Sequence, residues 1–454
     1  MLLSTVNKVV NPTSSELSNP LLAAEKASAG LGFVSLTFQV SELDPLAVLE
    51  TLNVSGARSY FENPSQYQAH ASGPPLVEWK GRGKNRFKEA DAWLRKLNAG
   101  IQSIGEQPRV IASFPFYPGD DKNDLDSHLF LPTWQVVTDA GITTITLCEK
   151  ATAGCADKLL KQVEQFRGFI YQANPLPAHQ PSATVLSEVG GAWFPSAVKR
   201  ATELIKEGAF EKIVLTRAFD WRKKENFNVF GTLHRLRRAN PNCNIFLINE
   251  AEASLVGASP ETLIALSDTN LKTEAVAGTT RRGDSASEDA SLAKALLASD
   301  KDQREHSAVT ASILRRLKMV GVVGAATQTP ELLRLGNVMH IRTPVIGKLS
   351  ADRTFLEVAG ELHPTPAVGG KPRDLALPFI PGFEPHLRGL YTGAVGWIQS
   401  DGKKGNLYVA LRCARILGNT ARVYAGAGIV AGSDPTLESV ETEMKLKTIL
   451  DSLI

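Results

Sequence analysis

Cysteine is scarce and shows no pairing pattern. Cys148, Cys155, Cys243 and Cys413 are the only four in 454 residues, and no two form a CxxC motif. That excludes a zinc knuckle and a dithiol redox motif, and fits a reducing, cytoplasmic setting. An excess of one charge is lacking too. Lys plus Arg total 50 against 47 Asp plus Glu, a net of +3, so neither nucleic acid nor a membrane surface is the default partner. No apolar run approaches the length of a membrane span. The opening "MLLSTVNKVVNPTSSELSNPLL" lacks the long apolar core of a signal peptide and reads as a flexible, polar lead. No fixed-period repeat is present. What remains, 43% hydrophobic and 21% charged residues, is an ordinary globular composition with material for one large domain or two to three smaller ones.

Residues 174–184, "NPLPAHQPSAT", are rich in Pro and small polar residues and read as a linker. Before them, "GFVSLTFQV" and "PRVIASFPFY" read as strands and little suggests chemistry. After them strands and helices alternate densely. "FPSAVKRATELIKEG" has the helical spacing, with Gly208 as its stop. "EKIVLTRAF", "NCNIFLIN", "ASLVGAS" and "TLIALS" read as strands, and "DKDQREHSAVTASILRRLKMV" as a strong helix. "RGLYTGAVGWIQ", "GNLYVALRCARIL" and "ARVYAGAGIVAG" read as three consecutive strands. Strands joined by short turns imply antiparallel pairing rather than a doubly wound parallel sheet.

Two helices place acids unusually. In "TLESVETEMKLKTIL", residues 436–450, Leu437, Val440 and Met444 form an apolar arc, with Glu438, Glu441 and Lys445 between that arc and Ile449. In the helix beginning at "DKDQ", Asp302 and Glu305 share a face with Val309, Ser312 and Ile313. A buried carboxylate is costly unless paired, hydrogen-bonded or bound to a metal, and a divalent cation would reconcile several of them. Each helix alone also has an ordinary reading. Asp302 suits a helix start, and Glu441 with Lys445 is a favourable i, i+4 pair.

The segments "KIVLTR", "GASPETL", "AVAGTTRRG", "DKDQREHSAV", "HPTPAVGGKP", "ALRCARI", "YAGAGIVAGSDP" and "ESVETEMK", in that order over residues 190–454, resemble the chorismate-utilising enzymes. That family includes isochorismate synthase, salicylate synthase and the large subunits of anthranilate and aminodeoxychorismate synthases. Residues 1–185 match it weakly. The resemblance implies an α+β fold like anthranilate synthase component I: a sandwich of two mostly antiparallel sheets with outer helices. One domain over 1–454 would then carry a variable part, 1–185, with 174–184 as a surface crossing within it.

The resemblance also implies roles. Glu305 and Glu441 match Mg²⁺ ligands, and Asp302 and Glu438 the neighbouring acids that hold its waters. Asp302 is shorter than the Glu of some relatives, which leaves room for a water. Lys212 matches the general base, a task that needs a lowered pKa. Glu261 matches the general acid, which must stay protonated near neutral pH. Arg412 matches the arginine that grips a substrate carboxylate, with Tyr391 nearby. Gly426 and Gly428 match backbone donors near the pyruvyl carboxylate, and Gly278 and Thr279 a loop lining the ring. His340 matches a pocket histidine and Lys445 a lysine beside the metal acids. Taken singly, Lys212 reads as a strand-start lysine and Glu261 as an acid after a Ser-Pro start; the ordered segments single them out.

The implied substrate is chorismate. Ala367, in "HPTPAVGGKP", stands where amine-using and salicylate-forming relatives carry a hydroxyl residue, so the resemblance is greatest to isochorismate synthases. The implied reaction is Mg²⁺-dependent addition of water at one ring carbon with loss of hydroxide at another, with no obligatory glutaminase and a monomer as the usual state. Salicylate synthase, which goes on to eliminate pyruvate, is the nearest alternative. The ammonia-using synthases and a non-catalytic metal-binding relative are further ones. Menaquinone, siderophore and salicylate pathways all remain open, with a lean toward menaquinone.

Overall fold

The computed structural model describes residues 11–28, 30–52, 56–119, 125–170, 187–189, 192–250 and 252–453. The proposed linker at 174–184 lies outside them. Among the described residues the strands form two sheets, one of 13 strands and one of 10. Nearly every pairing is antiparallel, as short connections favour. A parallel pair joins Phe33–Val40 to Ile101–Ile104.

The larger sheet runs from Lys212–Arg222 through Thr420–Val430, Cys413–Leu417, Ala253–Ser259 and Asn244–Glu250. It then continues through strands from the first part of the chain, beginning with Ser59–Asn63. The smaller sheet runs from Val338–Lys348 through Asn270–Arg281, Thr262–Ser267, Lys404–Val409 and Ala394–Gln399 into Arg109–Phe114. Each sheet is therefore shared between the two parts of the sequence.

The sheets face one another across a buried layer. Phe246, Ile248 and Leu255 of the larger sheet pack there with Ile111, Phe130, Val395 and Tyr408 of the smaller. Helices cover the outer face of the larger sheet: Ser14–Ser28 through Leu17 and Leu21, Cys155–Ile170 through Leu159 and Val163, and Pro435–Leu453 through Leu446 and Ile449. This is the α+β sandwich with outer helices that the motifs imply. No helix among the described residues is long and apolar enough to cross a membrane.

Three local readings need correction. The N-terminal lead is not simply flexible, because Ser14–Ser28 is a helix whose Leu17 and Leu21 are buried. The segment "GNLYVALRCARIL" is two strands, Lys404–Val409 in the smaller sheet and Cys413–Leu417 in the larger. The chain turns between them at Arg412, whose φ of 49° breaks the extended run. In the last helix the arc containing Leu437 and Val440 points outward; these residues are 69% and 47% exposed. The inward face carries Glu438, Thr442, Leu446 and Ile449. Its first half meets a polar cavity rather than the apolar core, so there the acids are the buried side.

Candidate active site

Two chain crossings between the sheets build the site. Ala253–Ser259 belongs to the larger sheet and Thr262–Ser267 to the smaller, and Pro260 and Glu261 make the passage. Lys404–Val409 and Cys413–Leu417 make the return passage through Arg412. The two corners are stitched together: Val409 N–H donates to the Glu261 carbonyl at 3.1 Å, and Ala258 N–H to the Arg412 carbonyl at 3.2 Å. A pair of antiparallel neighbours that change sheet together leaves a gap at the corner, and a cavity of about 200 Å³ occupies it.

All the candidate residues line this one cavity: Lys212, Glu261, Gly278, Thr279, Asp302, Glu305, His340, Ala367, Tyr391, Arg412, Gly426, Gly428, Glu438, Glu441 and Lys445. Lys301, Val214, Leu411 and Tyr424, which the motifs did not single out, line it as well. A signal for Lys301 was available. It stands in the first turn of helix Asp300–Met319, where the macrodipole disfavours a cation. Its Nζ lies 3.7 Å from Glu438 Oε1.

One wall is ionic. Lys212 Nζ donates to Glu305 Oε1 at 2.7 Å, both side chains nearly buried. Lys445 Nζ donates to Glu441 Oε1 at 2.5 Å and to the Gly426 carbonyl at 2.9 Å. Asp302 accepts from the Ser299 hydroxyl at 2.5 Å. Burial opposes ionisation of Glu305, yet the charges of Lys212, Lys445 and Lys301 outweigh it and hold the carboxyl below its usual range. Burial and then the neighbouring Glu441 push Glu438 up. Gly278 has a φ of 75°, strained for any side chain, and a Cβ there would stand 3.2 Å from Asp302 Cβ, while a Cβ on Gly428 would stand 2.8 Å from Lys212 Cε and push that side chain aside.

The donors here are carboxylate oxygens, a hard set that suits Mg²⁺ rather than a thiophilic metal. Among the described residues no three metal-ligating side chains already converge on a point, because Glu305 and Glu441 are turned onto lysines. Mg²⁺ needs only one or two carboxylates plus waters and substrate oxygens, and the crowding felt by Glu438 is what a cation relieves. The residues fit the ion.

Glu261, 3% exposed, lines the same cavity. Burial, then the charge of Glu274, raise its pKa to about 8 against the opposing effects of the Thr365 hydroxyl and Lys212. Thr365 Oγ1 donates to Glu261 Oε1 at 3.3 Å. Arg412, 6% exposed, has no carboxylate partner among the described residues. Its Nη2 donates to His340 Nε2 at 3.0 Å. His340 Nδ1 lies 3.3 Å from the Gly278 carbonyl and 3.1 Å from Thr279 Oγ1, which assigns the proton to Nδ1 and leaves Nε2 to accept. Burial, then the charges of Arg412 and Lys445, hold His340 far below its ordinary value. A neutral His340 thus orients Arg412. Tyr391 stacks on Tyr424 with ring centroids 4.8 Å apart beside this group.

Behind the cavity Arg388 and Glu384 form a fully buried pair, 2.6 Å apart. Arg388 also donates to the carbonyls of Val214 and Val368, and Glu384 accepts the Thr216 N–H. This clamp ties the strand bearing Lys212 to the loop bearing Ala367.

The "Chorismate binding enzyme" family model matches residues 21–454. The chain belongs to the chorismate-binding enzyme family. It is 30% identical over 439 residues to the salicylate biosynthesis isochorismate synthase of Pseudomonas aeruginosa, covering 92% of this chain and 90% of that protein. It is 27% identical to isochorismate synthase MenF of Bacillus subtilis, covering 92% and 93%. Its structure matches that of the menaquinone-specific isochorismate synthase of Escherichia coli at a TM-score of 0.80 and 26% identity, over 96% of this chain and all of that one. Anthranilate synthase component I of Streptococcus pneumoniae shares the fold at a TM-score of 0.69 and 24% identity.

Proposed function

We propose that this chorismate-binding enzyme is an isochorismate synthase. The observation that carries the reading is Arg412, a buried guanidinium with no carboxylate in contact among the described residues, lining a cavity that also holds a cluster of acids and lysines. A buried cation that no carboxylate touches is costly, and a substrate carboxylate completes it. Chorismate has two carboxylates, so the second falls to the acidic wall. There Glu305 and Glu441 would hold Mg²⁺, with Asp302 and Glu438 on its waters. The ion, when bound, supplies charge neutralisation for that carboxylate.

The ring then lies between Lys212 and Glu261. Lys212 takes a proton from the attacking water, and Glu261 gives its proton to the departing hydroxyl. One water enters and one leaves, so the reaction is an isomerisation in which Lys212 and Glu261 exchange proton states and reset through solvent. Lys212 donates to Glu305 as an ammonium, so it must leave that contact and give its proton to solvent before the neutral amine can take one from the attacking water. Glu261 suits the acid because burial keeps it protonated at neutral pH. Water as nucleophile makes a glutaminase unnecessary, and Ala367 offers no hydroxyl to the reaction.

A product assay tests this. Chorismate with Mg²⁺ and no ammonia yields isochorismate alone. Salicylate with pyruvate, or an aminated ring formed only when ammonia is added, would replace this reading with that of another family member.

A further inference from the structure

Glu274 touches no part of the substrate cavity. It lines a second, polar cleft on the far side of the Pro260–Thr262 passage, together with Asn63, Asn244 and Arg342. Its Oε1 accepts the Thr262 N–H at 2.5 Å, one residue beyond the acid. Its Oε2 faces Arg342 Nη1 at 3.8 Å, and Arg342 is held in turn by Glu331 at 2.6 Å.

We propose that Glu274 is a positioning residue for the acid Glu261, anchoring the chain at Thr262 and setting a carboxylate behind the acid, on the side away from the substrate. The inference rests on the reading of Glu261 as the general acid. The charge of Glu274 acts on Glu261, and where two carboxyl groups interact the environment decides which keeps the proton. Burial, and more weakly the charge of Glu331, push Glu274 up, while the Thr262 N–H and the Arg342 guanidinium facing its oxygens favour its ionised form. Glu261 has one hydroxyl donor, with Lys212 as the cation across the cavity. The charge therefore settles on the side away from the substrate, and the proton on the side facing it. Burial alone would raise Glu261; the second carboxylate adds to it from behind, out of reach of the ring.

The test is the pH profile of kcat. Glu274→Gln keeps an acceptor for the Thr262 N–H and removes the charge, so the alkaline limb moves to lower pH by about half a unit or more. KM stays within about twofold, because no substrate contact is lost. Glu274→Asp keeps the charge and restores the limb. A purely structural role would lower kcat without moving the limb, and an unmoved limb in Glu274→Gln overturns the proposal. If Glu274→Gln does not fold, as judged by circular dichroism, Glu274→Ala provides the same reading. Glu261→Gln separates the two levels. Its inactivity combined with an unmoved limb in Glu274→Gln removes only the role of Glu274, whereas an active Glu261→Gln removes the acid itself.

Discussion

Glu261 and Arg412 owe their chemistry to burial at a corner where the backbone changes sheets. For Glu261 the consequence is measurable in stability as well as rate. Below pH 4.5 the carboxyl is protonated in both the folded and unfolded chain. As pH rises toward about 8, the unfolded chain releases a proton that the folded one retains. The wild type therefore loses stability relative to Glu261→Gln across that window. Thermal denaturation should show matched Tm values at low pH and a Tm gap in favour of the variant that widens toward pH 8. The same variant should lower kcat by about 10²-fold or more, the usual contribution of a general acid. For Arg412, replacement by Lys removes the bidentate fork and its bond to His340. A drop in kcat/KM of about 10- to 100-fold is expected, matching the strength of charged hydrogen bonds; steady-state kinetics check it. None of this burial was legible in sequence. "SPET" and "ALRCARI" named the residues only through their family order, since an acid after a Ser-Pro start or a strand arginine is ordinarily exposed.

At the scale of elements, the helix Asp300–Met319 was read well. Its acids do share a face with the buried Val309 and Ile313. In the helix Pro435–Leu453 the acids do lie toward the buried side beside Ile449, but the Leu437 and Val440 arc faces solvent, because a wheel counts apolar side chains and cannot see that a helix may front a polar cavity for half its length. The corrected face makes a prediction. Ile449→Ala should cost about 2–5 kcal/mol in denaturant unfolding. Leu437→Ser, on the exposed arc, should stay within about 0.5 kcal/mol. The reverse ranking would restore the original face. The segment containing Arg412 shows the same limit. Continuous apolar character marked one strand, and nothing in the periodicity recorded the left-handed residue at which it changes partner.

Across the whole molecule, the two parts of the sequence meet by strand pairing rather than by docking. Asn244–Glu250 pairs with Ser59–Asn63, and Ala394–Gln399 with Arg109–Phe114. A fragment covering 190–454 contains every candidate active-site residue yet would expose both strands as open, apolar edges. It should aggregate or remain unfolded by size exclusion and circular dichroism, while the full chain is stable. The sandwich class was legible from short turns and the motif order, but this sharing was not, because strand partners distant in sequence leave no periodic trace.

The account depends on acids from two remote helices gathering at one cation. Calorimetric titration of Mg²⁺ into the metal-free full chain, with chorismate present, measures that directly. A single binding event that disappears in both Glu305→Ala and Glu441→Ala, with the fold retained by circular dichroism, is the predicted result. Mg²⁺ binding undiminished in both variants would contradict it.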